Sequence, residues 1–204
     1  MRGLMSGYVR TKRWDFTMNS AVLDANVLYS ASLRDFLLRL AFDGLIVPFW
    51  TAKIQDEWIE NLLRKRPELE RKRLMRTCQE MELHFPNGCV RGFELITPTL
   101  TLPDPKDRHV LAAAIRVKAK YIVTFNVKDF PASALSPYQV EAILPDEFVF
   151  QVLENDPNTF IKTVSKHRAS LLSPPKTVEQ YLATLEQQKL HKTVAFLREH
   201  KDKI

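Results

Sequence analysis

The sequence predicts an α/β protein, with a mostly parallel central sheet flanked by helices and a helical C-terminal extension. Three observations carry this. Short apolar runs alternate with amphipathic helical segments up to Leu144, the pattern of a sheet covered on both faces. Polar residues interrupt those runs at only a few positions. Beyond Leu144 the alternation stops, and the remaining 60 residues contain no glycine and no strand-like run.

The first run, AVLDANVL over residues 21–28, reads as a buried strand broken only by Asp24 and Asn26. Ser32 is a candidate helix cap for apolar positions Phe36, Leu37, Leu40 and Ala41, with Gly44 as the stop. Leu45 to Pro48 is a second strand. Thr51 caps a helix carrying Ile54, Trp58, Ile59, Leu62 and Leu63, and a charged helix follows Pro67. Val90 to Thr97 reads as extended. Asp104 and Pro105 are a cap and first helical residue for a stripe of Val110, Leu111, Ala114 and Ile115. Tyr121 to Phe125 and Val140 to Leu144 complete the strands. The expected division is a basic extension over 1–19, an α/β domain over 20–145 and a helical module over 146–204, broken at Asp156-Pro157 and Pro174-Pro175.

Composition narrows the function. With 45% hydrophobic and 26% charged residues among 204, the chain is an ordinary globular one. No apolar run nears the roughly 20 residues of a membrane span, and no signal peptide is expected. Two cysteines, Cys78 and Cys89, fit a reducing, cytoplasmic setting. Only five glycines occur, none spaced for a dinucleotide or phosphate-binding loop. The formal charge of +6 favours a polyanionic partner, nucleic acid first. Part of that charge lies in Arg2, Arg10, Lys12 and Arg13, an arm or a start-site artefact on which no function is built.

Acids, not bases, single out a site. Asp24 lies toward the C-terminal half of the first strand, with Asn26 on the same face by strand alternation; Glu57 lies in the second turn of the helix after the second strand, and Asp107 in a first helical turn. Asn126 follows a strand, and Asp129 comes three residues later. Right-handed crossovers bring all of these to one edge of the sheet. A strand Asp could simply serve a loop, but an unpaired buried carboxylate is costly. Asp104 is explained by its cap. Asp107 precedes Val110 and Leu111 by three and four residues, which puts it on the apolar stripe. Among Asp56, Glu57 and Glu60, periodicity alone does not choose. Clustered acids suit a hard cation such as Mg²⁺, and an acidic pocket in a basic protein suggests metal-assisted cleavage of a nucleic acid.

Four segments, VLDANVLYSA, TAKIQDEWIENLL, DPKDRHVLAAA and YIVTFNVKDFP, resemble the PIN-domain ribonucleases, and within them the toxins of bacterial VapBC-type pairs. The resemblance runs from about Ala21 to Leu144, and the helical tail is similar to an extension carried by a subset of those proteins. It implies a PIN-like fold, dependence on Mg²⁺ or Mn²⁺, cleavage of single-stranded RNA and neutralisation by a cognate antitoxin, with homodimerisation open. Carried over position by position, the catalytic residues fall on Asp24, Glu57, Asp107 and Asn126, the first three being the metal ligands. The match, not periodicity, selects Glu57. Asn126 departs from the commoner Asp and brings no charge, for which Asp129 could compensate. Asn26 and Thr124 fall where polar supports orient ligands and waters.

Other features have simpler readings. Cys78, His84 and Cys89 lack zinc-site spacing. Trp50 and Trp58 read as core. The run RKRPELERKRLMR from Arg64 holds seven bases and two acids, by default a solvated helix face. As an extension of the Glu57 helix it could also guide RNA, through Arg64, Lys65 and Arg66, with Arg108 near the acids. His109 stays outside the catalytic set. Two rival functions remain: a non-catalytic RNA- or protein-binding module of PIN-like fold, kept open by Asn126, and an aspartyl phosphatase, disfavoured because Asn26 stands where that chemistry needs a second Asp.

Overall fold

The computed structural model describes residues 19–204. The basic extension expected over 1–19 therefore lies, apart from Asn19, outside the described residues. Four parallel strands form one sheet in the order β2-β1-β3-β4. They are β1 (Ser20–Leu23), β2 (Val47–Phe49), β3 (Tyr121–Val123) and β4 (Glu141–Ile143). Val22 pairs with Phe49 on one side and Ile122 on the other, and Val123 pairs with Ile143. With a neighbour on each edge and helices on each face, β1 is wholly buried. That is why its sequence is a continuous apolar run rather than an alternating one.

The first run is not one long strand. β1 stops at Leu23, and a single helical turn, α1 (Ala25–Leu28), follows at once. Asp24 causes the change of direction: its side chain accepts a hydrogen bond from the Ala25 N–H at 2.7 Å, as an N-terminal cap does. Helix α2 (Ala31–Phe42) is capped by Ser30 rather than Ser32. It ends where Gly44 takes φ +78° and the Leu45 N–H reaches back to the Leu40 carbonyl at 2.9 Å. α3 (Ala52–Lys65) is capped by Thr51, whose hydroxyl accepts from the Ile54 N–H at 3.0 Å. α4 (Arg71–His84) is the charged helix.

The extended segment expected over Val90 to Thr97 does not form. A lone bridge joins Trp50 to Cys89, and the chain then turns at Gly92, φ +72°, into loops. The Phe93 carbonyl there accepts from the Ile96 and Thr97 N–H groups. Asp104 caps a short 3-10 turn, Pro105–Asp107, which runs into α5 (Arg108–Val117). After β3 come α6 (Ala132–Leu135) and β4.

Four helices follow: α7 (Pro145–Asn155), α8 (Pro157–Ser170), α9 (Val178–Gln187) and α10 (His191–Glu199). α8 and α9 pack on α2, and α7 and α10 pack on each other, α7 also on α8 and α10 on α9. Phe160 of α8 meets Phe36 of α2 edge-on, with ring centroids 6.3 Å apart, and Phe148 of α7 meets Tyr121 of β3 at 5.6 Å. Buried His167 on α8 bonds Asp35 of α2 through Nε2 at 2.9 Å and the Tyr181 hydroxyl of α9 through Nδ1 at 2.8 Å. One apolar core runs through all of this, and Trp50 and Trp58 are wholly inside it. Among the described residues no helix is long and apolar enough to cross a membrane.

Candidate active site

The sheet order reverses at β1, because β2 lies on one side of it and β3 on the other. In such sheets the carboxyl ends of the two strands flanking the reversal open a crevice for ligands. Asp24 stands at the end of β1 and Thr124 at the end of β3, and the two meet there. The Thr124 hydroxyl donates to Asp24 Oδ2 at 2.7 Å. Asn26 Nδ2 donates to the same oxygen at 2.7 Å and lies 3.0 Å from Thr124 Oγ1. Asn26 Oδ1 accepts from the Phe125 N–H at 3.0 Å, and Thr124 Oγ1 accepts from the Asn126 N–H at 3.0 Å. This bracing depends on the helical turn after Asp24, which brings Asn26 back over the carboxylate. Strand alternation alone does not produce it.

Asp24 is buried. Burial pushes its carboxyl up, the bonds from Thr124 and Ala25 oppose this, and the nearby Glu57 carboxylate pushes it up further. Asp107, half-buried at the junction of the 3-10 turn and α5, is pushed up to about 6. The cause is burial first, then the negative charges of Asp24, Asp104 and Asp129. Asp24 thus feels Glu57, and Asp107 feels Asp24 and Asp129, so these four acids share one electrostatic neighbourhood. Asp104 does more than cap: it accepts from the Lys106 N–H at 2.8 Å and also loads Asp107.

Glu57 is held elsewhere than at its fellow acids. His109 Nε2 lies 3.0 Å from Glu57 Oε1, and Lys53 approaches the same oxygen to 4.0 Å. His109 is buried, with its Nδ1 unpartnered. Sequence reasoning left it aside, although an ionisable ring inside the apolar stretch HVLAAA was a usable signal. Asn126 is exposed at the mouth, bonded through its backbone.

Among the described residues no three His, Cys, Asp or Glu side chains are grouped as a ready metal site. The donors nonetheless fit a hard cation. Asp24 and Asp107 are mutually repelling carboxylates at a crevice, and Mg²⁺ commonly takes one or two carboxylates and fills its other positions with water and phosphate oxygens.

Five bases of the run that begins at Arg64, in the last turn of α3, fall into two groups. Arg66 pairs with Glu68 at 2.7 Å, Arg71 with Glu60, and Arg73 with Glu70 at 3.7 Å. Arg64 and Lys65 form no ion pair among the described residues and border a cleft beside Asn26. Arg108 is half-buried, its Nε without a partner. Cys78 is buried and its thiol is pushed up to about 11, mainly by burial.

Known proteins match in both regions of the chain. Residues 145–199 match the VapC50 C-terminal domain, and residues 20–128 match the PIN domain. A Mycobacterium tuberculosis protein named "Putative ribonuclease VapC50" is 41% identical over 83 residues, which are 41% of this chain. The match spans 49% of that relative, about half its length. No solved structure matches. The PIN match covers over half of the 204 residues, including Asp24, Glu57, Asp107 and Asn126, and the chain belongs to the PIN domain family.

Proposed function

We propose that this protein is a metal-dependent endoribonuclease acting on single-stranded RNA, with Asp24 and Asp107 as the metal-holding carboxylates. One observation carries the reading: a buried, triply braced Asp24 at the sheet's switch point, close enough to raise the carboxyl of Asp107. Carboxylates crowded this way are stabilised by a cation, which the substrate's phosphodiester then shares. A bound Mg²⁺ or Mn²⁺ supplies an acidified water and charge neutralisation at the phosphate. The chain's own residues do the rest. Thr124, Asn26 and the Ala25 N–H fix the direction of the Asp24 oxygens. His109 orients Glu57, whose carboxylate faces the same neighbourhood, and Asn126 offers a neutral amide at the mouth, with Asp129 behind it. Supported by the relative's name and the match of its C-terminal domain, we further propose the role of a toxin restrained by a cognate antitoxin.

The test is cleavage of labelled single-stranded RNA with Mg²⁺ or Mn²⁺. Asp24→Asn is expected to lower the rate by at least about a hundredfold, in the range seen when a transition-state charge contact is lost, and EDTA to stop it. A folded Asp24→Asn variant, verified by circular dichroism, that cleaves at the native rate overturns the reading. The phosphatase alternative is disfavoured because Asn26, an amide bonded to Asp24 and to the Phe125 N–H, cannot serve as the acid/base that chemistry needs.

A further inference from the structure

A cleft of about 370 Å³ opens beside the catalytic crevice, between α1 and the last turns of α3. Its walls are Ala25, Asn26, Tyr29, Asn61, Arg64 and Lys65. The volume falls within the ~300–1,000 Å³ typical of small-ligand sites. The chemistry is one-sided. Two guanidinium or ammonium groups, two amides and one phenol face it, and no carboxylate lines it.

Position and charge pairing separate this cleft from the other bases of the run: Lys72 and Arg76 lie on α4, outside the cleft's lining, and three more are paired. Arg66, Arg71 and Arg73 are satisfied by Glu68, Glu60 and Glu70. Arg64 and Lys65 have no acidic partner among the described residues, and both are exposed. The Lys65 ammonium lies 5.4 Å from the centre of the half-buried Tyr29 ring, so cation and aromatic face share one space. Asn26 joins the cleft to the reacting centre, because the side chain that lines it also bonds Asp24 Oδ2 at 2.7 Å. A molecule in the cleft therefore sits next to the carboxylate proposed to act on the phosphodiester.

We propose that this cleft binds one nucleotide of the single-stranded RNA substrate, next to the scissile phosphate. Arg64 and Lys65 take the backbone phosphate, Tyr29 is the wall against which the base packs, and Asn61 is the polar contact at the rim. The inference rests on the ribonuclease reading and adds to it where the strand lies. An unpaired base fits because its flat face is free for aromatic contact and its phosphate for the cations.

The experiment measures binding of a short fluorescein-labelled single-stranded RNA by fluorescence anisotropy, across a salt series, with the full chain carrying Asp107→Asn so that the RNA stays intact. Arg64→Ala and Lys65→Ala sit on the exposed end of a helix and leave the core untouched. Each is expected to lower affinity several-fold and to reduce the slope of log K against log salt by about 0.7, the loss of one phosphate contact on a single strand. Tyr29→Ala is expected to lower affinity by about fivefold or more with the slope unchanged, as for a lost stacking partner. Arg73→Ala, on α4 and already paired with Glu70, is the control and stays within about twofold. If the otherwise native chain cleaves RNA but Arg64→Ala and Lys65→Ala bind with native affinity and slope, the cleft is not the nucleotide site and an occupant such as a protein segment takes its place. If the native chain neither binds nor cleaves RNA, the ribonuclease reading fails and the subsite with it.

Discussion

A carboxylate at the end of a buried strand has to be answered by donors, and Asp24 is answered by three, from Ala25, Asn26 and Thr124. Asp107 has no such side-chain donor among the described residues and is left to its burial and to the repulsion of its neighbours, which makes it the residue whose behaviour reports the state of the site. In the fold its carboxyl keeps a proton up to about pH 6, against an ordinary value of 3.8. Between those values the unfolded chain holds fewer protons than the folded one, so stability falls as pH rises from about 4 to about 6 and then levels off. A shift of this size would be worth about 3 kcal/mol if undamped, and partial exposure screens it to about 1 kcal/mol. Metal-free protein should therefore lose melting temperature across that window, and Asp107→Asn should flatten the profile. Parallel profiles for the two proteins would remove Asp107 from the acidic cluster. The sequence showed Asp24, Asp107 and their supports because carboxylates and amides among apolar residues stand out. It could not show His109 holding Glu57, since that contact joins α3 to α5 across 52 positions of chain.

At the scale of elements, apolar runs and capping residues located the four strands and α2 to α5, while the ends drifted, α1 and α6 went unseen and the tail was read only as helical. β1 is half the length its run suggested because Asp24 prefers to cap a turn, a local choice that hydrophobicity does not reveal. Residues 90–97 look like a strand by composition, but the turn at Gly92 and the carbonyl of Phe93 redirect them. The loop just before them is fixed by a close approach. The Trp50 N–H donates to the Gly88 carbonyl at 2.9 Å, and a Cβ on Gly88 would stand 2.7 Å from the Trp50 ring. That ring is wholly buried and cannot swing away. Gly88→Ala is accordingly expected to cost about 1–3 kcal/mol through overpacking, read as a lower urea midpoint with an unchanged slope. A native midpoint would mean the loop shifts freely and does not fix the start of α3.

Across the whole molecule, the C-terminal helices join the α/β region through α8 and α9 on α2 and through α7 on β3. We propose, on this packing, that the tail and the α/β region unfold as one cooperative body. Phe160→Ala empties a fully buried position against Phe36 and should cost about 3–5 kcal/mol. No tryptophan lies in the tail, and the fluorescence of buried Trp50 and Trp58 reports on the α/β region. Its midpoint should fall together with that of circular dichroism, whereas an unmoved fluorescence midpoint would show two independent units. Fold class was readable in the alternation of strand and helix, but the seat of the tail was not, because it depends on contacts such as Asp35 with His167 that no local pattern announces.

The junction of α9 and α10 touches the side of the candidate site at two points. Gln188 accepts from the Ser30 hydroxyl, one residue past Tyr29, and the Lys189 ammonium lies 5.3 Å from the ring of Phe125, whose N–H is bound by Asn26. A graft that exchanged tails between relatives would have to carry this pair along. Without it, both shoulders of the crevice at Asp24 and Thr124 would lose their buttress from a segment more than sixty positions downstream.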